Sequence, residues 1–393
     1  MRAFTLDGVA DTTDAVGNLK TLLAWPTIAS KNWVYRQYDH TVRDNTIVAP
    51  GSDAAVLRIK EDSLPELGNA EPRTTNHEPR ITEKFIAISV DCNGGYVYLD
   101  PYEGGKIAVA EACRNLACSG AVPLGATDNL NFGNPHNPEL FFQLKESVRG
   151  LAEACKHFNA PVTGGNCSLY NQSPNGPIDP TPTVAVVGII EKPEHITTQW
   201  FKDAGDAIIL LGDAVDASDK LQGLGGSAYL KQIHGRKTGT PPRLNLETEK
   251  SLHDALRGWI AQGIIKSAHD GSEGGLAVAL AESCISQQIA RETPRFMGAN
   301  IDLSAIAPRQ DAGGTLRLDA LLFGETQSRI VVSTTAHTAV KVLGQARVLG
   351  IPATRIGAVG GEQLKIKTAQ GEFTWPLAEL HDLWWNSIAR AMK

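Results

Sequence analysis

The clearest pattern along the chain is an apolar recurrence at three- and four-residue steps between Pro138 and Phe158. Leu140, Leu144, Val148, Leu151, Cys155 and Phe158 fall on one face of a predicted helix. Asn137 can cap it, and Pro138 at the first helical position has no amide to lose. Short apolar runs at Phe85–Val90, Thr183–Ile190 and Ala207–Leu211 predict buried strands, and Ile47–Lys60 alternates about a Pro-Gly-Ser-Asp turn. Further helices are predicted over 16–25, 106–119, 248–262, 272–287, 336–349 and 376–392. Further strands are predicted near 123–127, 329–333, 355–359 and 363–368, with a brief one ending at Gly164-Gly165. Residues 70–82 and 173–182 are polar and proline-bearing, and read as loops. Strands alternating with helices give an α/β (α+β) class. The pattern changes style over 191–205, so we expect two domains, 1–194 and 195–393.

Composition narrows this picture. A chain of 393 residues, 42% hydrophobic and 20% charged, suits two or three folded domains with substantial cores. Lys plus Arg is 37 against 43 for Asp plus Glu, a net charge of -6, which argues against a general nucleic-acid binder. The apolar runs are too short to span a membrane, and the start MRAFTLDGVADTTDA is acidic where a secretion signal is basic. The six cysteines form no CxxC pair and have no zinc spacing. Reduced thiols and a cytoplasmic location are expected.

Five glycine-, acid- and amide-bearing segments are read as turns: 51–54, 91–94, 128–131, 164–168 and 269–275. Asp and Asn supply hard oxygen ligands for Mg²⁺, and glycines admit phosphates to backbone amides. Together they sketch a nucleotide–magnesium site, although any tight turn prefers the same residues. No Walker loop is present, because Gly105-Lys106 is followed by Ile107. Gly223–Ala228 satisfies GxGxxG/A, but the preceding strand ends near Leu211, so a phosphate-cradling loop fits better than a dinucleotide fold. There is no GxSxG elbow. His136 reads as a loop residue, His157 as a helix C-terminal charge partner, and Trp384-Trp385 as a packing anchor.

The segments NWVYRQYDHTVRDNTIVAPGSDAAVLRIK, DCNGGYVYLDPYEGGKIAVAEACRNLACSGAVPLGATDNLNFGNP, GGNCSLYN, LGGSAYL, SAHDGSEGGLAVALAE and FGETQSR occur in order. With them the chain resembles the C-terminal half of the synthetase subunit in the phosphoribosylformylglycinamidine synthase family. That resemblance implies a tandem enzyme of two related halves, whose N-terminal sheet domains pair in a barrel-like core. It implies a reaction in which ATP phosphorylates the amide oxygen of formylglycinamide ribonucleotide and ammonia displaces phosphate. It also implies a separate glutaminase subunit, a small bridging subunit, and Mg²⁺ with ATP or ADP.

Carried over residue by residue, the resemblance places ATP at Asp128 and Gly165, Mg²⁺ at Asn166 and substrate at Ser168. The family's catalytic half has a glutamate–serine–histidine motif where this chain has Asp91-Cys92-Asn93, and Arg-Asp where it has Arg114-Asn115. An amide is no general base, and one metal carboxylate is lost. This half is therefore expected to be inactive alone. It would need the N-terminal half, or form a homodimer through its first domain when isolated. Asp53, Asp91 and Asp270 are the candidates for Mg²⁺ in an auxiliary nucleotide pocket. The alternatives are a structural, nucleotide-binding module without turnover, and an independent phosphotransferase of the wider superfamily.

Overall fold

The computed structural model describes residues 4–60, 83–290, 292–306 and 316–393. The loop expected over 70–82 lies outside the described residues. Helices of six or more residues are α1 (Ala15–Leu23), α2 (Gly94–Leu99), α3 (Pro101–Cys118), α4 (Pro138–His157), α5 (Ala228–His234), α6 (Leu246–Ala261), α7 (Gly275–Ile285), α8 (Leu318–Phe323), α9 (Ala336–Val348) and α10 (Leu377–Ala391).

One sheet holds β1 (Thr46–Val48), β2 (Ala55–Lys60), β3 (Glu83–Asp91), β4 (Val122–Asn131), β5 (Val162–Ser168) and β6 (Thr181–Ile190), in the order β1-β2-β3-β6-β4-β5. Only β4 and β5 run parallel in it. The period of two is plain on β6, where Val184, Val186 and Ile190 are buried and their neighbours are not. The buried face meets α3, an almost wholly buried helix. Asp100 caps α3, accepting from the Tyr102 and Glu103 amides at 3.1 Å each. Helix α4 crosses α3 closely: a Cβ on Gly150 would lie 2.1 Å from the Tyr102 carbonyl oxygen. The opposite face is open, with Val90 and Val122 more than half exposed.

The second sheet comprises β7 (Ala207–Leu211), β8 (Ser267–Asp270), β9 (Ala299–Asp302), β10 (Ile330–Thr334), β11 (Ala353–Val359), β12 (Gln363–Thr368) and β13 (Gly371–Pro376), in the order β8-β10-β7-β11-β9-β12-β13. Helices cover both faces. Ile208 and Leu210 of β7 join a core with α1, α7, α8 and α10, whereas Ala207, Ile209 and Leu211 join a core with α6 and α9. A strand buried on both faces therefore reads as an unbroken apolar run. Helix α1 precedes the first sheet in sequence, yet Leu19, Leu22 and Leu23 pack in the second sheet's core.

The structure departs from the sequence reading at several elements. Residues 128–131 and 164–168, read as turns, lie inside β4 and β5, because the parallel ladder from Asp128↔Gly165 to Asn131↔Ser168 continues through them. Helices α2, α5 and α8 and strands β8, β9 and β13 were not foreseen; most are six residues or fewer, too short for periodicity to register. The 173–182 loop contains a two-stranded hairpin, Gln172–Ser173 with Gly176–Pro177.

Candidate functional site

Two neighbourhoods gather the predicted residues. The first is built on register. Asp91, Val184, Asp128 and Gly165 form one row across β3, β6, β4 and β5. Side chains in a row project to one side, and Val184 is buried against the helices, so Asp128 projects toward the helix layer. Burial there raises its carboxyl above the ordinary range. A Cβ on Gly165 would lie 2.5 Å from Asp128 Oδ1, so glycine alone leaves that carboxylate room. Asn166 and Ser168 take the other, open face. Asn166 Nδ2 donates to Asn129 Oδ1 at 3.2 Å, which turns its own amide oxygen free. Ser168 is braced by Asn171, whose Nδ2 donates to the Ser168 carbonyl at 2.7 Å. Strand β5 is a sheet edge, and 162–167 are exposed. The four residues thus share one strand pair but stand on two faces, and a ligand touching all four must wrap the bare edge.

The second neighbourhood is a buried polar cluster where the first sheet meets β8 and α7. Asp53, His269 and Asp270 offer ligand atoms within 4.8 Å of one another. His269 Nδ1 is 3.0 Å from Asp53 Oδ1, and its Nε2 is 3.1 Å from Glu282 Oε2. Burial alone would lower this imidazole, but Asp53 and Glu282 outweigh it and hold it protonated well above its usual range. Asn115, with its amide nitrogen toward the two carboxylates, donates to Asp270 Oδ1 and Asp53 Oδ1 at 3.2 Å each. Asn115, where the resemblance expects a carboxylate, is thus a hydrogen-bond donor to the two acids.

Asp91 does not join that trio. It shares a hydrogen bond with Glu111, and burial, then Glu273 and Asp270, raise it well above the usual carboxylate range. Burial pushes Asp270 up to about 6 against the pull of Arg114, and its Oδ2 has no hydrogen-bond partner. Asn93, where the resemblance expects a histidine, is fully engaged. It caps α2 by accepting from Gly95 and Tyr96 at 3.0 and 3.2 Å, and it donates to Glu273 Oε1 at 3.2 Å.

Several residues of the cluster were missed. Arg114, wholly buried, meets Glu249 at 2.8 Å, Asp270 at 3.5 Å and Glu111 at 3.6 Å. Burial raises Glu249, but Arg114, His253 and Ser328 outweigh it and hold the carboxyl at about 2. A usable signal existed: Glu111, Arg114 and Asn115 sit three and four residues apart, a polar row on an otherwise apolar helix. The 223–228 loop does not behave as a phosphate cradle. Its Gly223 amide donates to Asp219 at 2.7 Å and its Gly226 amide to the Thr238 carbonyl at 2.9 Å. Glu325 Oε1 accepts from both Ala228 and Gly274 at 2.8 Å, so a carboxylate of the chain fills the place an anion would take. His157 ends α4 and lies 3.7 Å from Glu247, and Trp384 is buried with its Nε1 on Glu282, as expected of a charge partner and an anchor. All six cysteines are free thiols. No helix among the described residues is long and apolar enough to cross a membrane.

Comparison with known proteins extends this picture. The family description "AIR synthase related protein, N-terminal domain" matches residues 51–190, and its C-terminal counterpart matches 203–368. The chain is 42% identical over 396 residues to the phosphoribosylformylglycinamidine synthase subunit PurL of Anaeromyxobacter sp. (strain K), covering 100% of this chain and 48% of that protein. It is 49% identical over 358 residues to the subunit of the same name in Thermosynechococcus vestitus, covering 88% and 42%. It spans about half the length of the curated relatives it matches. The solved T. maritima PurL complexed with FGAR superposes with a TM-score of 0.61 at 18% identity, over 76% of this chain and 46% of that one. T. maritima PurL complexed with AMPPCP gives 0.59 at 17%, over 92% and 50%. These structural likenesses speak to the fold.

Proposed function

The chain belongs to the AIR synthase related protein family, and from that premise we propose that it is the C-terminal half of a phosphoribosylformylglycinamidine synthase. The proposed reaction, a step of purine biosynthesis, converts formylglycinamide ribonucleotide, ATP and glutamine-derived ammonia to formylglycinamidine ribonucleotide. The observation that carries the reading is the bare β4–β5 edge, where Asp128, Gly165, Asn166 and Ser168 stand together in a chain 42% identical to subunits of that name. In this reading Asp128 and Gly165 hold ATP and Ser168 holds the ribonucleotide. The free amide oxygen of Asn166 suits Mg²⁺, a hard cation that takes neutral oxygens when phosphates bring the charge. Mg²⁺ bound there would offset charge on the nucleotide phosphates.

The site is one edge of a pocket, and the rest lies on the N-terminal half, reached through the open sheet face. The reading divides the chain into 1–194, with the nucleotide segments and the pairing sheet, and 195–393, the α/β unit ending in α10. Its partners are that N-terminal half, a glutaminase subunit and a small bridging subunit, in the cytoplasm. Asn93 supplies no base, so the chain alone is inactive. The test is ATP- and ammonia-dependent turnover, measured with and without the N-terminal half. Turnover is expected only with it, and full activity from the chain alone overturns the reading.

A second reading is favoured by Asn93, Asn115 and Asp270 Oδ2, which has an ion-pair contact with Arg114 at 3.5 Å but no hydrogen bond. Here Asp53 and Asp270 hold Mg-ADP without turnover, with Asp91 standing apart from them on Glu111, and the ligand stabilises the fold by mass action. Saturating Mg-ADP should raise the thermal midpoint, and an unchanged midpoint counts against it.

A further inference from the structure

Strand β5 carries one residue more than β4 where the two pair. Ala126 lies opposite Val162 and Thr127 opposite Gly164, so Thr163 is a bulge. Its hydroxyl donates to the Ala126 carbonyl at 3.3 Å, and the Thr127 hydroxyl donates to the Gly164 carbonyl at 3.1 Å. A bulge shifts every later pair by one residue, and a one-residue shift exchanges the two faces of a strand. Without Thr163, Asn166 would share a row with Leu130, which packs on the helix-side core. With it, Asn166 stands opposite Asn129 on the open face, and both residues are exposed. The backbone at Asn129 is pinned in turn. Asn131 Nδ2 donates to the Asn129 carbonyl at 3.0 Å and to the Thr181 carbonyl of β6 at 3.2 Å.

An asparagine amide ends in an oxygen and a nitrogen that a half-turn interchanges, and only the oxygen ligates a hard cation. Asn129 Oδ1 accepts from Asn166 Nδ2 at 3.2 Å. A half-turn of Asn166 would set two amide oxygens against each other. We propose, resting on the reading of Asn166 as a Mg²⁺ ligand, that Asn129 is the positioning residue for that ligand. Its acceptor keeps the Asn166 nitrogen turned toward β4 and the oxygen turned outward, so a cation meets a donor that is already oriented. The bulge at Thr163 brings the two amides into one row, and Asn129 decides which end of Asn166 is presented.

The test uses the chain joined with the N-terminal half, Mn²⁺ as the probe and AMPPCP as the nucleotide. Electron paramagnetic resonance measures free Mn²⁺, and Asn166→Ala identifies the share bound at this site. Asn129→Leu removes the acceptor at an exposed position. It is expected to weaken that share by about three- to tenfold while circular dichroism stays native. The Mg²⁺ concentration for half-maximal turnover should rise by a similar factor. Asn166→Asp ends in two equivalent oxygens and needs no orienting. Adding Asn129→Leu to Asn166→Asp should therefore leave Mn²⁺ affinity unchanged, whereas loss of a direct ligand or of the strand pair would weaken both backgrounds. Unaltered Mn²⁺ affinity in Asn129→Leu, or an equal loss in both backgrounds, overturns the role of Asn129 and leaves the synthase reading intact. Mn²⁺ binding indifferent to Asn166→Ala removes the metal from Asn166 and overturns the role of Asn129 with it. Absence of turnover from the joined halves, with Mn²⁺ binding as expected, overturns the synthase reading alone.

Discussion

Glu325 ties the two halves of the chain through a single carboxyl group. It accepts from the Ala228 and Gly274 amides and meets the Tyr96 hydroxyl, all in buried surroundings. Burial, then the charge of Glu273, push it up to about 8 from an ordinary value of 4.5. The folded state therefore keeps a proton that the unfolded state has released. That stabilisation is complete below 4.5 and is lost as pH rises toward about 8. Glutamine keeps both the acceptor and the donor but does not ionise. Glu325→Gln is thus expected to flatten the fall in stability over that window, and denaturant melts at several pH values check it. Equal slopes in both proteins would clear Glu325 of the effect. Glu249 runs the other way: held at about 2, it contributes above 4.5 and is lost as pH falls through its folded value. A different residue-scale test addresses the proposed ATP contact. Gly165→Ala puts a methyl 2.5 Å from Asp128 Oδ1 at an exposed edge. The same methyl lies 2.7 Å from the Asp128 backbone carbonyl oxygen, so the strand pair must shift: both the turnover of the reassembled enzyme and the thermal midpoint should fall, and unchanged turnover would remove Gly165 from the site.

Among the elements, α4 was the most legible, and physics explains why. Its cap, its proline and its apolar stripe are all local, and Asn137 does accept from the Glu139 amide at 2.9 Å. Asn137→Ala should cost about 0.5–2 kcal/mol, measurable as a lowered denaturation midpoint. The ends of β4 and β5 were illegible for the opposite reason. Thr-Asp-Asn and Gly-Gly-Asn look like turn chemistry, and only a parallel partner far along the chain makes them strands. The roles expected of Asp128, Gly165, Asn166 and Ser168 came from resemblance and Asp53, Asp91 and Asp270 from the acid-bearing turn segments, whereas the division of the first four between two faces needed the register. Helix α1 shows a further limit: periodicity gives its apolar face but not that the face packs in the second sheet's core. Its Leu22, fully buried there, is therefore a test of that packing. Leu22→Ala should cost about 2–5 kcal/mol, as a large-to-small core change does. A cost below about 0.5 kcal/mol, typical of a surface position, would contradict the packing.

The whole molecule holds its two sheets together through buried polar contacts: Arg114 with Glu249, and Tyr96 with Glu325. Such contacts favour one relative placement, because an unpaired partner would be left in the interior. Nothing comparable covers the outer face of the first sheet among the described residues. Val90 is 63% exposed and Val122 is 52% exposed there, beside the unpaired edge of β5. Exposed apolar surface next to a bare strand edge favours association. The isolated chain should therefore form a homodimer through this face, standing in for the proposed N-terminal half. Light scattering at micromolar concentration checks the mass. Val122→Lys places a charge on the face without disturbing a core, so it should yield a monomer with native circular dichroism and a thermal midpoint that no longer depends on protein concentration. A wild-type chain that is already monomeric at micromolar concentration would count against the dimer. A dimer indifferent to Val122→Lys would put the contact elsewhere.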